Sequence, residues 1–276
     1  MGVPLKDWGV NIYRGILTGY NEAFIISGAK KDELIAADPK SAEIIRPILR
    51  GRDIKRYGYN FADQWLIATF PSRHYDIERY PAVKKHLLSF GMERLEQTGK
   101  TYYPGTEHEF KARKKTHNKW FETQDSISYW EDFSKQKLIW AELARTGNAF
   151  TVDDGSKSIV LNTCYILTTN NIDIDLRYLL AVLNSKIILF YMNITSSKFD
   201  ENGWRWLKQF VDILPIVSTE NKKQHIINIV NDILSAKERK QNTIDDENNI
   251  DSIISSIYGL NDEEEKYVRE YIFISQ

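Results

Sequence analysis

The character of the chain changes at Pro215, and this change limits the folds that the sequence can adopt. Before Pro215, short β-branched and aromatic runs alternate with glycine-containing turns, which is typical of strands. After it, isoleucines, a valine and a leucine recur at the spacing of amphipathic helices: Ile226, Ile227, Val230, Ile233 and Leu234, then Ile250, Ile253, Ile254 and Ile257. The sequence therefore predicts an α+β (mixed α/β) protein, with a β-containing domain over residues 7–217 and a helical tail over 218–276.

The helical tail has apolar stripes that two or three isolated helices cannot bury. We expect these helices to pack on the body of the chain or on the rest of a larger protein. Gly259 is placed to end the second tail helix, and Asn261 is placed to cap another helix in the acidic run that follows.

The body contains further segments with a recognisable pattern. Strands are predicted at 10–13, 23–26, 65–70, 137–143, 150–152, 159–168 and 210–217. Helices are predicted at 30–36, 40–46, from Pro81 toward Gly99, and over 176–192. Residues 100–136 show no sustained period, so we expect a long irregular loop region there.

The segment 176–192 is apolar on nearly all sides, but it is shorter than the roughly 20 residues that a bilayer requires. Arg177, Asn184 and Lys186 also interrupt it. A buried core helix is therefore favoured over a membrane span. The N-terminal residues lack a basic-then-apolar leader, so we expect a cytoplasmic protein without a membrane partner.

Motifs for catalysis and cofactor binding are missing from the sequence. The single cysteine, Cys164, cannot form an internal disulfide or a multi-cysteine zinc site, and we expect it to be buried and inert. The five histidines lack metal-ligand spacing, and no phosphate-binding glycine motif or Gly-x-Ser-x-Gly motif is present. Asp212, Glu220 and Lys222 resemble a nuclease cluster, but Pro215 separates them. No catalytic residue, metal or cofactor is therefore predicted in this chain.

The charge is unevenly distributed. Residues 241–276 hold two basic and nine acidic residues, a net charge of −7, which leaves the other 240 residues at +6. A mildly basic body permits nucleic-acid binding without proving it.

Basic residues mixed with aromatic and amide residues occur in three clusters. Their main members are Arg50, Arg52, Lys55 and Arg56 in the first; Lys111, Arg113, Lys114, Lys115 and Asn118 in the second; and Lys198, Trp204 and Arg205 in the third. Arginine and asparagine can each make two hydrogen bonds to a base edge, and lysine neutralises phosphates. These clusters are the candidate DNA-binding residues, and a solvated charged surface is the alternative for each.

Four segments resemble a known family, the TaqI-like C-terminal specificity domain of type IIG restriction–modification enzymes. They are 12–26 (IYRGILTGYNEAFII), 44–57 (IIRPILRGRDIKRY), 179–185 (LLAVLNS) and 257–264 (IYGLNDEE), in the order the family shows. The arginine-glycine-arginine-aspartate-isoleucine stretch is the most specific of these matches, whereas the last segment is shared with other restriction specificity subunits.

The resemblance implies a target recognition domain that reads a short sequence in double-stranded DNA. Such enzymes join it to a nuclease and an adenine methyltransferase, which use Mg²⁺ and S-adenosylmethionine. The Asn-Pro-Pro-Tyr motif of that methyltransferase is missing here, so we expect these 276 residues to be the C-terminal recognition part of a longer enzyme. On this hypothesis the first cluster holds the DNA backbone or the domain's own framework, and the segments 111–119 and 198–205 read bases.

Two alternatives remain open from the sequence. One is a stand-alone specificity subunit of a type I-like system, although no internal repeat supports the two recognition domains that such subunits usually carry. The other is a nuclease with an unrecognised acidic cluster.

Overall fold

The strands of the protein are short and the longer helices lie toward the C-terminus. The structure is a computed structural model that describes residues 2–144, 147, 149–200 and 203–275. The strands are β1 (Val3–Pro4), β2 (Val10–Arg14), β3 (Ile25–Ser27), β4 (Ile45–Leu49), β5 (Ile54–Lys55), β6 (Gly58–Tyr59), β7 (Gln64–Ile67), β8 (Thr101–Tyr102), β9 (Phe110–Lys111), β10 (Gln136–Ala141), β11 (Leu143–Ala144), β12 (Phe150–Asp154), β13 (Ile159–Val160), β14 (Cys164–Thr169), β15 (Lys198–Asp200), β16 (Gly203–Arg205) and β17 (Pro215–Ile216). The helices are α1 (Asn21–Phe24), α2 (Gly28–Ala37), α3 (Pro81–Leu88), α4 (Met92–Leu95), α5 (Leu176–Asn184), α6 (Lys186–Thr195), α7 (Lys208–Val211), α8 (Glu220–Glu238), α9 (Ile244–Ile257) and α10 (Asp262–Ser275).

A four-stranded antiparallel sheet of order β12-β10-β14-β2 separates two hydrophobic cores. Successive residues of a strand point to opposite faces of the sheet. On β10, Leu138 and Trp140 therefore lie in one core while Ile139 lies in the other, and on β14 Leu167 and Ile166 divide in the same way. The sheet is thus a wall shared by both cores.

The first core lies toward the N-terminus, between the shared sheet and a second four-stranded sheet of order β13-β4-β7-β3. In this second sheet β13 and β4 run parallel, and the other neighbours are antiparallel. Helices α1 to α4 complete this part of the molecule, and Phe24, Ile48, Leu66 and Val83 are fully or almost fully buried in it.

The second core contains the opposite face of the shared sheet together with α5, α6 and the three tail helices α8, α9 and α10. Ile226, Val230, Ile233 and Ile254 on the tail stripes are completely buried. Burial of one such side chain contributes roughly 1.5–3 kcal/mol, so the tail helices are held mainly by apolar packing on the body. In addition, β1 pairs with β17 and joins the N-terminal residues to the end of the segment 7–217.

The predicted α+β class is confirmed, and several elements agree with the sequence patterns. The largest difference concerns 176–192, which forms two helices that meet at 62° because Ser185 between them has an extended backbone. Residues 40–46 form a 3₁₀ turn followed by β4, and 210–217 contain the end of α7 and the short β17 in place of one strand. Residues 23–26, predicted as one strand, contain the end of α1 and the first two residues of β3.

Within the part of the chain that the structure describes, no individual helix has both the length and the apolar composition to cross a membrane. The bent pair α5 and α6 meets those criteria only when its two helices are taken together. Most of α5 is buried in the second core.

Candidate nucleic-acid interface

At one end of its strands, the shared sheet brings together residues from distant parts of the sequence. Because β2 and β10 are both antiparallel to β14, their C-terminal ends lie next to the N-terminal end of β14. A cavity of about 870 Å³, which we name the strand-end cleft, opens there. It is lined by Arg14, Asn21, Arg50, Gly51, Arg52, Lys55, Ala141, Glu142, Leu143, Leu161, Asn162, Thr163 and Phe199.

Arg14 crosses the floor of the strand-end cleft. Its Nη2 lies 2.7 Å from Glu142 Oε2, and its Nε donates to the carbonyl oxygen of Asn162 at 3.0 Å. The Arg14 side chain nevertheless remains 54% exposed. Gly15 permits this arrangement, since a Cβ atom there would lie 2.1 Å from the carbonyl oxygen of Leu161. The cleft therefore contains a fixed guanidinium with accessible surface.

Arg50 has a framework role. Its Nε and Nη2 each donate to the Asp53 carboxylate at 2.9 Å, and its backbone N–H donates to Asp53 Oδ2 at 2.8 Å. Burial alone would raise the pKa of Asp53, but the hydrogen bonds from Arg50 outweigh it and hold that pKa below its usual range. This pair shapes the turn that leaves Arg52 and Lys55 exposed at the cleft. Of the two roles predicted for Arg50, this geometry agrees with the framework role, and a DNA contact stays a prediction.

Arg56 also belongs to the framework, because it points toward the helical tail. Its Nε donates to Glu247 Oε2 on α9 at 2.6 Å, and Nη1 donates to the carbonyl oxygen of Asn184 at the end of α5. Of the two roles predicted for Arg56, the geometry assigns the structural one.

A second cavity, of about 520 Å³, lies on the irregular region 100–136 and is named the basic cavity. Its lining consists of Gly19, Tyr20, Arg94, Gly99, Lys111, Ala112, Arg113, Lys114 and Lys115. No carboxylate is among these lining residues. Arg94, Lys111, Lys114 and Lys115 are exposed, and the guanidinium of Arg94 lies 4.2 Å from the ring centre of Phe110.

Arg113 differs from its neighbours because it is buried, with only 4% of its surface exposed. Its two terminal nitrogens donate to four backbone carbonyls, those of Thr18, Leu95, Trp120 and Glu122, at 2.6–3.1 Å. Burial lowers the pKa of Arg113 to about 10. Arg113 thus fixes several chain segments together, and its DNA contact stays a prediction.

Asn118 is likewise engaged within the protein. Its Nδ2 donates to the carbonyl oxygens of Thr123 at 3.2 Å and Gln124 at 2.9 Å. Both amide hydrogens are thus used to shape the loop, and base reading by this amide stays a prediction.

The third predicted cluster lies on the hairpin of β15 and β16. Trp204 is only 2% exposed and packs in the second core, and its assignment as a DNA contact stays a prediction. Lys198 is exposed, with its ammonium 5.2 Å from the ring centre of Trp204, and Arg205 is half-buried. Because β16 pairs with β11 and Phe199 lines the strand-end cleft, this hairpin lies beside the cleft.

The two cavities lie on either side of one short segment, residues 17–21. Gly19 lines the basic cavity and Asn21 lines the strand-end cleft. Two residues span at most about 7 Å, so the cavities are close neighbours. Arg52 and Lys55 line the cleft together with Asn21, and the exposed lysines of the second cluster line the basic cavity together with Gly19. Arg113 donates to the carbonyl oxygen of Thr18 within this segment.

Sequence reasoning missed Arg14, Asn21 and Arg94 as site residues. Arg14 and Asn21 lie in the segment 12–26, which the family resemblance covered without assigning a role to any of its side chains. Arg94 lies on α4, inside a predicted helix and away from any basic cluster. Only the fold brings it beside Lys111.

The described residues contain no group of three or more histidine, cysteine, aspartate or glutamate side chains arranged for a metal ion. Cys164 is buried in the sheet, and burial raises its thiol pKa to about 12.

The sequence of the folded body defines a known class of protein domain. Residues 46–216 match the TaqI-like C-terminal specificity domain, and the chain belongs to that family. The family resemblance drawn from the sequence is therefore confirmed.

Two solved structures share the fold at low sequence identity. The type IIL restriction–modification enzyme MmeI, solved in complex with DNA, matches with a TM-score of 0.61 and 14% identity over 100% of this chain and 35% of its own. The type IIG restriction endonuclease BpuSI matches with a TM-score of 0.50 and 13% identity over 93% of this chain and 31% of its own. This chain thus spans about a third of either protein. No curated protein matches it.

Proposed function

We propose that this chain is the sequence-specific DNA recognition module of a type IIG restriction–modification enzyme. In this proposal, a methyltransferase and a nuclease elsewhere in the same enzyme act on the DNA that the module positions. S-adenosylmethionine and Mg²⁺ serve those other domains, and the enzyme works in the cytoplasm. The single observation that carries the proposal is the meeting of the strand-end cleft and the basic cavity around segment 17–21.

The strand-end cleft has the chemistry that base recognition requires. Base edges in the major groove present distinct patterns of donors and acceptors, and arginine, asparagine and threonine side chains can read them. The exposed groups of the cleft include Arg52, Asn21 and Thr163. Asn21 Oδ1 accepts from Thr18 Oγ1 at 2.7 Å, which fixes the amide and leaves its N–H donors turned away from that bond. We therefore assign base reading mainly to this cleft.

The surroundings of the cleft supply the charge that a DNA backbone needs. Lys55 and Lys198 are exposed at or beside the cleft, whereas the Arg56 side chain is paired with the helical tail. Contacts to phosphates fix the orientation of a protein on the duplex, while contacts to bases select the sequence. The family membership and the DNA-bound neighbour MmeI support this assignment.

Selection from a pool of random duplexes tests the proposal with the chain as it stands. We expect one short motif to be enriched, and the logarithm of affinity for it to fall with log salt at about −0.9 per neutralised phosphate. Lys6→Gln is the control, since Lys6 is exposed before β2, at the opposite end of that strand from Arg14. Binding without motif enrichment, or no binding by a folded sample at low salt, would contradict the proposal.

A further inference from the structure

The basic cavity collects positive charge without internal compensation. Among the described residues, no carboxylate oxygen lies within 4.0 Å of the charged groups of Arg94, Lys111, Lys114 or Lys115. Several like charges around one cavity repel each other, and the field between them favours an anion. An anion bound there would remove that repulsion.

The wall that carries the lysines is rigid. Gly99 N–H donates to the carbonyl oxygen of Arg113 at 2.8 Å, and Ala112 N–H donates to that of Lys100 at 2.8 Å. The four carbonyl contacts of the buried Arg113 guanidinium hold the same stretch to segment 17–21 and to the end of α4. The lysine side chains therefore extend from a fixed backbone, so the cavity is formed before any ligand enters.

Two glycines allow the walls to approach each other. Gly19 and Gly99 have φ values of +80° and +70°, in the region that favours glycine. A Cβ atom on Gly19 would lie 2.8 Å from Arg113 Nε, and one on Gly99 would lie 3.3 Å from the backbone nitrogen of Lys115. Arg113 Nε itself is buried and has no hydrogen-bond partner among the described residues. The cavity floor thus adds a buried positive group to the exposed ones.

The chemistry of this cavity differs from that of the strand-end cleft. The cleft mixes a carboxylate, amides and a hydroxyl with its cations, whereas the side-chain charges of the basic cavity are all positive. Lysine ammoniums recognise charge and carry little information about which base is present. We propose that the basic cavity binds a single phosphate group of the DNA backbone, independently of sequence, and sets the register in which the cleft meets the bases. This inference rests on the proposed function and reverses the base-reading role expected for segment 111–119.

The test compares Lys114→Gln/Lys115→Gln with Lys6→Gln, on the motif selected by the wild-type chain and on a scrambled duplex. Loss of one phosphate contact should weaken both affinities about eightfold at 0.1 M salt and reduce the magnitude of the salt slope by about 0.9. The selected motif should not change. Circular dichroism and the unfolding midpoint establish that the variant is folded.

A second measurement identifies the group that is bound. Single methylphosphonate substitutions remove one backbone charge at a time, and one position should weaken wild-type binding while leaving the double variant unaffected. Inorganic phosphate should compete with DNA for the wild-type chain. Phosphate that binds in the cavity without displacing DNA would mean that the cavity serves free phosphate, and would overturn the inference.

The possible failures can be told apart. A folded chain that binds no duplex would remove the proposed function and this inference together. A chain that binds its motif with a salt slope unchanged in the double variant would remove only the inference. If that variant selected a different motif, the cavity would contact bases, and the inference would be overturned.

Discussion

Positive side chains differ in burial and in ion pairing between two parts of this molecule. At the sheet and at the junction with the tail, they are buried or half-buried and paired: Lys137 with Asp153, Arg56 with Glu247, and Lys186 with Asp251, at 2.6–2.9 Å. Around segment 17–21, Arg52, Lys55, Lys111, Lys114 and Lys115 are exposed.

The acidic tail explains part of this contrast. Residues 241–276, whose net charge is −7, include Glu247 and Asp251, which neutralise cations of the body, so the charge of this part of the tail is partly structural. Within the first basic cluster, Arg56 is consumed by this junction and Arg50 by Asp53, which leaves Arg52 and Lys55 for a ligand. Adjacent residues of one sequence cluster therefore serve opposite purposes. The presence of an ion-pair partner within the protein distinguishes these residues better than their charge does.

The largest effect is expected at the most deeply buried pair. Lys137 and Asp153 are 0% and 1% exposed, and Lys137 Nζ also donates to the carbonyl oxygen of Phe133. Asp153→Ala leaves that ammonium buried without its partner and should lower the free energy of unfolding by about 3–5 kcal/mol. Urea unfolding measures this change in the free energy of unfolding. Lys137→Met/Asp153→Leu is the matched control and should recover most of the loss, because no unpaired charge remains.

The exposed side of the comparison is tested by Arg52→Gln. If Arg52 reads a base, discrimination against the wrong base should fall by about 1–3 kcal/mol at one position of the motif. The free energy of unfolding should stay within about 0.5 kcal/mol of wild type, because Arg52 is exposed and its side chain has no ion pair among the described residues. Competition binding with single-base variants of the motif measures the loss of discrimination against the wrong base. A uniform loss over all variants would instead assign Arg52 to a phosphate.

The junction side is tested by Glu247 and its dependence on pH. Burial opposes ionisation of Glu247, but hydrogen bonds from Thr243, Lys237 and Arg56 hold its pKa below 4.5. A depressed folded-state pKa gives stability that is present above the unfolded value and lost as pH falls through the folded one. Glu247→Gln should therefore cost about 1–2 kcal/mol at pH 7. It should also flatten the loss of stability below pH 5, measured by urea unfolding at several pH values. An unchanged acid profile would show that Glu247 does not contribute to the junction.

Sequence patterns predicted the tail better than the interface, for a physical reason. The stripe of α8 and the cap of α10 depend on local periodicity: Glu264 N–H donates to Asn261 Oδ1, and Asn261 N–H donates to Glu264 Oε2, both at 2.9 Å. These features can be identified within a few residues. The bend at Ser185 and the 3₁₀ turn before β4 could not be identified from a few neighbouring residues, because tertiary packing and strand pairing determine them.

The candidate interface depends on contacts that are distant in sequence. Arg56 reaches Glu247 across 191 positions, and Arg113 reaches Thr18 across 95. Composition correctly indicated which segments are basic, but it could not show which cations are already bound within the protein. Nor could it show that Arg113 and Asn118 make hydrogen bonds within the protein or that Trp204 is buried in the second core.

The smallest predicted effect concerns the stability of the basic cavity itself. Lys114 and Lys115 are exposed beside Arg94 and Lys111, without a carboxylate in the cavity lining. Removing two of these like charges should relieve repulsion, so Lys114→Gln/Lys115→Gln should raise the free energy of unfolding by a few tenths of a kcal/mol at about 0.01 M salt. At about 1 M salt the gain should vanish because the Debye length falls to about 3 Å. Lys6→Gln, outside the cavity, should show no such dependence on salt. A destabilised double variant would mean that these lysines hold the fold together, as Arg56 does, and would remove the contrast between the two sides of the molecule.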